Sequence, residues 1–411
     1  MSLPNKSPEE SLPNSSRLKP SRRSFLQLSA AASAIAGLRV MTEPMLARAA
    51  APAIATSKSS TIWIDQNENP LGPCSDARAA ACEMTAQGGR YFMNLTDNFE
   101  KSFAESVGVK PDFVSAYPGS SGPLHHSVRA FTSASRSYVT ADPGYEAGMF
   151  AAGASGARIV KVPLTRTYAH DVKAMIAAAP DAGMFYLCSP NNPTGTLTPH
   201  ADIEYLLDNK PKGSIVVVDE AYLHFVDTPS AVDMVTAEKD VIALRTFSKL
   251  YGMAGLRCGV AIAKPELLAK IQNIIGWNAM PTTAVAAATA SMADAKLIPE
   301  RRHINAEIRG EVFQWLDQHG YSYIPSQSNC FLLDTKQPAK SVIDAMAQRS
   351  VRIGRIWPIL PTYSRITIGT REEMSMFREA WSAVMKGAVS AQVGELEPKR
   401  WQSLDGIRVR A

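Results

Sequence analysis

Four short runs in this 411-residue chain carry residue types that make sense together only at a chemical site. They are Ser189-Pro190-Asn191-Asn192-Pro193-Thr194-Gly195, Asp219-Glu220-Ala221-Tyr222, Thr246-Phe247-Ser248-Lys249 and Leu256-Arg257-Cys258-Gly259. Between them they supply an amide, a carboxylate with a phenol three residues on, a lysine beside a hydroxyl, and an arginine. An aldehyde cofactor with a pyridine nitrogen and a phosphate tail needs that set. Singly each run is weak: an Asp after a strand is usually a cap, and a Ser-Lys pair usually lies on the surface. Their joint occurrence carries the argument.

Elements that hold such groups still must precede them. Phe113–Tyr117, Ser137–Thr140, Arg158–Val162, Met184–Cys188, Ser214–Asp219 and Val241–Thr246 read as strands, β-branched or continuously apolar as in strands buried on both faces. Helical stretches alternate with them, which predicts an α/β fold with a mostly parallel sheet. Ligands of such sheets bind beyond the carboxyl ends of the strands, where the four runs lie. After about residue 290 the pattern changes to a smaller α+β domain: a helix from Pro299 to His319, a strand Asn329–Leu333, a helix Ala339–Arg349, short strands near Val351–Ile353 and Arg365–Ile368, and a helix Glu372–Met385.

With these runs in order, the sequence resembles the fold-type-I pyridoxal-phosphate aminotransferases of class I/II, and most closely their histidinol-phosphate aminotransferase-like branch. The resemblance runs from about Asp65 to Met385. It includes Asn67-Glu68-Asn69-Pro70-Leu71-Gly72-Pro73, Arg90-Tyr91, Asp142-Pro143-Gly144-Tyr145 and Arg365-Ile366-Thr367-Ile368-Gly369-Thr370. It implies a seven-stranded sheet and these boundaries: an N-terminal arm at 50–85 contributing to the small domain, a large cofactor domain at 86–290, a small domain at 291–386 and a tail at 387–411.

The resemblance also implies roles. Lys249 forms the Schiff base and shuttles the Cα proton. Asp219 pairs with the pyridinium nitrogen. Asn192 and Tyr222 bond the ring's phenolic oxygen, and Tyr145 stacks on the ring. Gly119, Ser120 and Ser121, at a strand-to-helix turn, meet the phosphate with backbone N–H groups. Ser248 and Arg257 complete that clamp, and Tyr91 reaches it from the neighbouring subunit of a homodimer. Arg365 and Asn329 are expected at the substrate. A second substrate arginine is either Arg352 or Arg355; strand alternation puts them on opposite faces, and Arg355 is favoured.

Two features depart from the family pattern. Ser121-Gly122 stands where an acidic residue usually follows Gly-Ser. The segment Pro358–Ser364 is short and apolar, and Trp357 and Ile359 on the expected substrate side weaken the case for a phosphate-tailed substrate. A large or aromatic α-amino acid donor, with a 2-oxo acid as acceptor, is the better expectation. Another reaction on the same cofactor (racemase, lyase, cyclase or oxidase) uses the same residues, and a non-catalytic binding protein is the third reading, opposed by intact Lys249, Asp219, Tyr222 and Arg257.

Composition bounds the rest. Hydrophobic residues make up 45% and charged residues 20%, the balance of a globular chain. The net charge of +5 is concentrated at the start, where residues 1–50 hold seven Lys/Arg against three Asp/Glu. The remainder is nearly neutral, which argues against a nucleic-acid partner. Arg22-Arg23, a short Ala/Ser-rich apolar stretch and Ala47-Arg48-Ala49 resemble a twin-arginine export signal over 1–49, with a periplasmic destination. The alternative is a basic tail before an amphipathic helix. The stretch is too short to span a bilayer. Five scattered cysteines form no metal-binding spacing, so no structural metal is expected.

Overall fold

The computed structural model describes residues 61–276 and 279–386. The export signal read at 1–49, the linker residues 50–60 and the tail 387–411 lie outside the described residues.

Twelve strands are described: β1 Ile62–Ile64, β2 Val114–Tyr117, β3 Ser137–Asp142, β4 Ile159–Pro163, β5 Ala182–Cys188, β6 Ile215–Asp219, β7 Val241–Thr246, β8 Gly259–Ala263, β9 Tyr323–Ile324, β10 Cys330–Asp334, β11 Val351–Ile353 and β12 Tyr363–Thr367. The helices are α1 Ser75–Thr85, α2 Met93–Val107, α3 Ser121–Phe131, α4 Ala147–Ala154, α5 Val172–Ala178, α6 His200–Asn209, α7 Val232–Thr236, α8 Pro265–Ile275, α9 Thr282–Ala293, α10 Leu297–Gln318, α11 Ala339–Gln348 and α12 Arg371–Met385.

Seven strands form one sheet in the order β2-β8-β7-β6-β5-β3-β4. Neighbours from β7 to β4 pair in parallel, whereas β8 runs antiparallel to both β7 and β2. Successive side chains of a strand face opposite ways, so each strand feeds two cores. Val139, Phe185, Leu187, Val216, Val218 and Ala243 enter one, and Tyr138, Met184, Tyr186, Val217, Ile242 and Leu244 the other. Helices cover both faces, which is why these strands carry unbroken apolar runs.

The strand β8 was not anticipated. Its sequence, Gly-Val-Ala-Ile-Ala, is short and rich in small residues of low strand propensity, and only its position between β2 and β7 buries all five. The helix α10 begins at Leu297 rather than Pro299. Proline is tolerated in a first turn because the N–H it lacks there has no intrahelical partner anyway.

The elements from α10 onward share a separate core, with Ile308, Val312, Phe331, Leu333, Val342, Ile366, Phe377 and Trp381. The sheet order there is β12-β10-β9. The N-terminal arm divides: β1 pairs in parallel with β11 and adds Ile62 and Ile64 to this core, while α1 packs on α9 and adds Ala77 to the large-sheet core. The helix α12 is fastened by a capping box, in which Thr370 Oγ1 accepts from the Glu373 N–H and the Glu373 carboxylate accepts from the Thr370 N–H.

Cys188, Cys258 and Cys330 are buried, Cys74 is half-buried and Cys82 is exposed. Among the described residues no helix is long and apolar enough to cross a membrane, and no group of three His, Cys, Asp or Glu is arranged to hold a metal ion.

Candidate active site

Asp219 is the last residue of β6, 4% exposed, beside Cys188 at the end of β5. Tyr186 Oη donates to its Oδ2 at 2.9 Å and the Ala221 N–H to its Oδ1 at 3.1 Å. Burial pushes its pKa up to about 6 against those bonds and the nearby charge of Lys249. A buried carboxylate so poised is suited to a cationic ring nitrogen.

Lys249 follows β7. Its Nζ donates to the Gln66 carbonyl at 3.3 Å and lies 5.8 Å from the centre of the Tyr222 ring. Tyr222 Oη accepts from Asn67 Nδ2 at 2.9 Å, and Asn67 is itself held by Thr367 on β12. Asn192 Oδ1 accepts from Arg365 Nη1 at 2.8 Å.

The antiparallel course of β8 builds the other end of the site. Its first residue, Gly259, pairs with Tyr117 at the end of β2 and with Thr246 at the end of β7. Arg257 therefore lies across the loop that leads into α3. Its Nη1 donates to Ser248 Oγ at 3.3 Å, and Ser248 also accepts from Thr246 Oγ1 at 2.9 Å. Gly119 has φ +85°, and a Cβ there would sit 2.2 Å from Arg257 Nη2. Only glycine leaves the arginine that place. Ser120 and Ser121 follow at the start of α3, with Ser121 Oγ 3.4 Å from Tyr145 Oη. Backbone N–H groups at a helix start, a hydroxyl and a guanidinium make an anion cradle, and Gly119 keeps it open. The donor set thus fits a pyridine ring at Asp219 and a phosphate at Gly119–Ser121.

The residues expected at the substrate lie beyond α10 in the chain. Arg365, on β12 and 1% exposed, also donates through Nη2 to the Asp65 carbonyl at 2.7 Å. Burial pushes the Asp65 carboxyl up to about 6, opposed by Arg352 and Arg365. Asn329 donates to the carbonyls of Asn67 and Glu68, at 3.2 and 3.3 Å, and so holds the N-terminal arm. Arg352 lies over Trp63 with Asp65 3.8 Å away, and Arg355 pairs with Glu146. The alternation argument between these two arginines loses its premise, because β11 ends at Ile353 and Arg355 lies in the loop beyond it. Tyr91 is 69% exposed just before α2.

Three residues of this network were missed in the sequence. Tyr186 had a signal: strand period and register put it on the same face of β5 and β6 as Asp219. Asn67 lay in a motif to which no role was given. Glu146 had none, since its partner is 209 residues away.

Residues 59–380 match the family model for aminotransferase class I and II. The histidinol-phosphate aminotransferase of Symbiobacterium thermophilum is 34% identical, over 79% of this chain and 90% of its own. An aromatic amino acid aminotransferase of Cutibacterium acnes is 32% identical, over 81% and 95%. The structure of the Sinorhizobium meliloti histidinol-phosphate aminotransferase in complex with pyridoxal 5'-phosphate superposes with a TM-score of 0.73 at 25% identity, covering 79% of this chain and 90% of that one. The fold, the strand-end residues and these similarities lead to one conclusion: the chain belongs to the class I and II aminotransferases, pyridoxal-phosphate enzymes that exchange amino groups between amino acids and 2-oxo acids.

Proposed function

We propose that this aminotransferase takes its amino group from an α-amino acid with a large, uncharged side chain. The observation that carries this is Arg365, buried to 1% exposure with Nη1 on Asn192 Oδ1. A guanidinium held there suits the flat, bidentate α-carboxylate of a donor. Trp357, 1% exposed, packs beneath the guanidinium carbons of Arg365 and Arg355, at 5.6 and 4.7 Å from its ring centre, and makes the surroundings of Arg365 aromatic.

When bound, pyridoxal phosphate supplies an aldehyde that condenses with amines and a cationic ring that accepts the electrons left as a proton leaves Cα. The protein's residues do the rest. Asp219 would hold the ring nitrogen protonated, with Tyr186 and the Ala221 N–H fixing its carboxylate. Asn192 and Tyr222 would bond the ring's phenolic oxygen, and Tyr145 would supply an aromatic contact to the cofactor. Gly119–Ser121, Ser248 and Arg257 anchor the phosphate. Lys249 Nζ carries the proton from the donor's Cα.

Two further readings concern the assembly. Tyr91, exposed on the single chain, is suited to reach a second copy's phosphate cradle in a homodimer. The Arg22-Arg23 segment directs export through the twin-arginine pathway to the periplasm; replacing both arginines with lysine should leave precursor in the cytoplasm, and unchanged export would remove this reading.

The donor is tested by titrating purified holoenzyme with amino acids and following its visible absorbance. Aromatic donors should bleach the bound cofactor, and a 2-oxo acid should restore it. Lys249→Ala should slow this conversion by about 10³-fold or more. A Lys249→Ala protein with the wild-type rate, or a panel in which only phosphate-tailed amines react, refutes the proposal.

A further inference from the structure

We propose that Glu146 determines donor specificity by neutralising Arg355, so that the side-chain pocket favours neutral donors over those ending in a carboxylate or phosphate. The inference deepens the donor reading above and rests on it.

Trp357 packs against two guanidiniums of different standing. Arg365 is turned to Asn192 and the Asp65 carbonyl, at the place suited to an α-carboxylate. Arg355 forms an ion pair with Glu146, both side chains remaining about one-third exposed or less. Glu146 directly follows Tyr145, so the residue that precedes it belongs to the ring site itself. It also occupies the N-cap of α4, yet its carboxylate accepts no helix N–H. The acceptor is given to Arg355 instead of to its own helix.

The pair is held ready rather than assembled on binding. Trp357 Nε1 donates to the Gly144 carbonyl at 3.0 Å, which fastens the loop bearing Arg355 to the loop bearing Glu146. Gly354 N donates to the Arg365 carbonyl at 2.8 Å, which ties the loop bearing Arg355 to the strand bearing Arg365. An anionic tail entering this space would have to displace Glu146 and then lie beside its carboxylate, losing one attraction and gaining one repulsion. A neutral tail against Trp357 meets neither cost. The buried Nε of Arg355 has no hydrogen-bond partner among the described residues.

The experiment uses holoenzyme with two unreactive acids, 3-phenylpropionate and glutarate, measured by calorimetry. Donor kcat/KM for phenylalanine and glutamate is measured alongside. Wild type should prefer 3-phenylpropionate and phenylalanine. Glu146→Gln should shift both ratios toward the dianion by about tenfold or more. Glu146→Gln combined with Arg355→Gln should lose that shift, since the freed guanidinium causes it. Unchanged ratios in Glu146→Gln, or a wild type that already prefers glutarate, overturn the proposal. If no amino acid converts the cofactor, the donor reading fails separately, and the calorimetric ratios still report on Glu146.

Discussion

Asp219 has an ordinary carboxyl pKa of 3.8 that burial raises to about 6 in the cofactor-free fold. The folded state therefore binds this proton more tightly than the unfolded chain does. Its contribution to stability is most favourable below about pH 4, declines as pH rises toward 6, and above that is a constant cost of roughly 3 kcal/mol. Asp65 behaves alike, so a variant is needed to isolate Asp219. In urea unfolding of cofactor-free protein, Asp219→Asn should gain on wild type as pH rises from 4.5 to 7.5. A difference that stays constant would show that the buried carboxylate is not strained. The same poise has a use: a site that destabilises its own anion when empty gains most from a ring cation. Tyr186, the neutral donor to Asp219, keeps the carboxylate oriented without neutralising it.

At the scale of elements, the phosphate cradle depends on β8 more than on any single side chain. Had β8 run parallel, Arg257 and Gly259 would lie at the opposite edge of the sheet, away from Gly119 and Ser248. Reversal brings its amino end to the carboxyl ends of β2 and β7. Gly119→Ala tests this arrangement. The new Cβ meets Arg257 Nη2 at 2.2 Å and sits on a backbone with φ +85°. Cofactor affinity should fall by about tenfold or more, read from the dissociation constant, with far-UV circular dichroism unchanged. Wild-type affinity would mean the arginine is not needed over the loop.

At the scale of the molecule, the site draws on both domains and on the N-terminal arm. Asn67 of the arm bonds Tyr222 of the large domain and Thr367 of the small one, and Arg365 of the small domain bonds Asn192 of the large. The proposed dimer extends this sharing to a second chain. Light scattering of the mature protein should give twice the chain mass. Tyr91→Phe should weaken cofactor retention while leaving that mass unchanged, because only the phenol would reach the phosphate. An active monomer would exclude the role.

The sequence by itself placed chemistry-bearing residue types at the strand ends. Asn192, Asp219, Tyr222 and Lys249 stand within four residues of the ends of strands marked by apolar runs, and their roles, with that of Arg257, are what the family resemblance implies. It also determined the α/β class, through the alternation of those runs with helices. Tertiary structure alone decided the partners. Tyr186 with Asp219, Asn67 with Tyr222 and Glu146 with Arg355 are contacts across 33, 155 and 209 residues. It also decided β8, whose small residues become a strand only when two neighbours bury them, and the division of the arm between two cores. Local pattern records what a residue can do; which group it does it to is set by packing over distances that no local pattern spans.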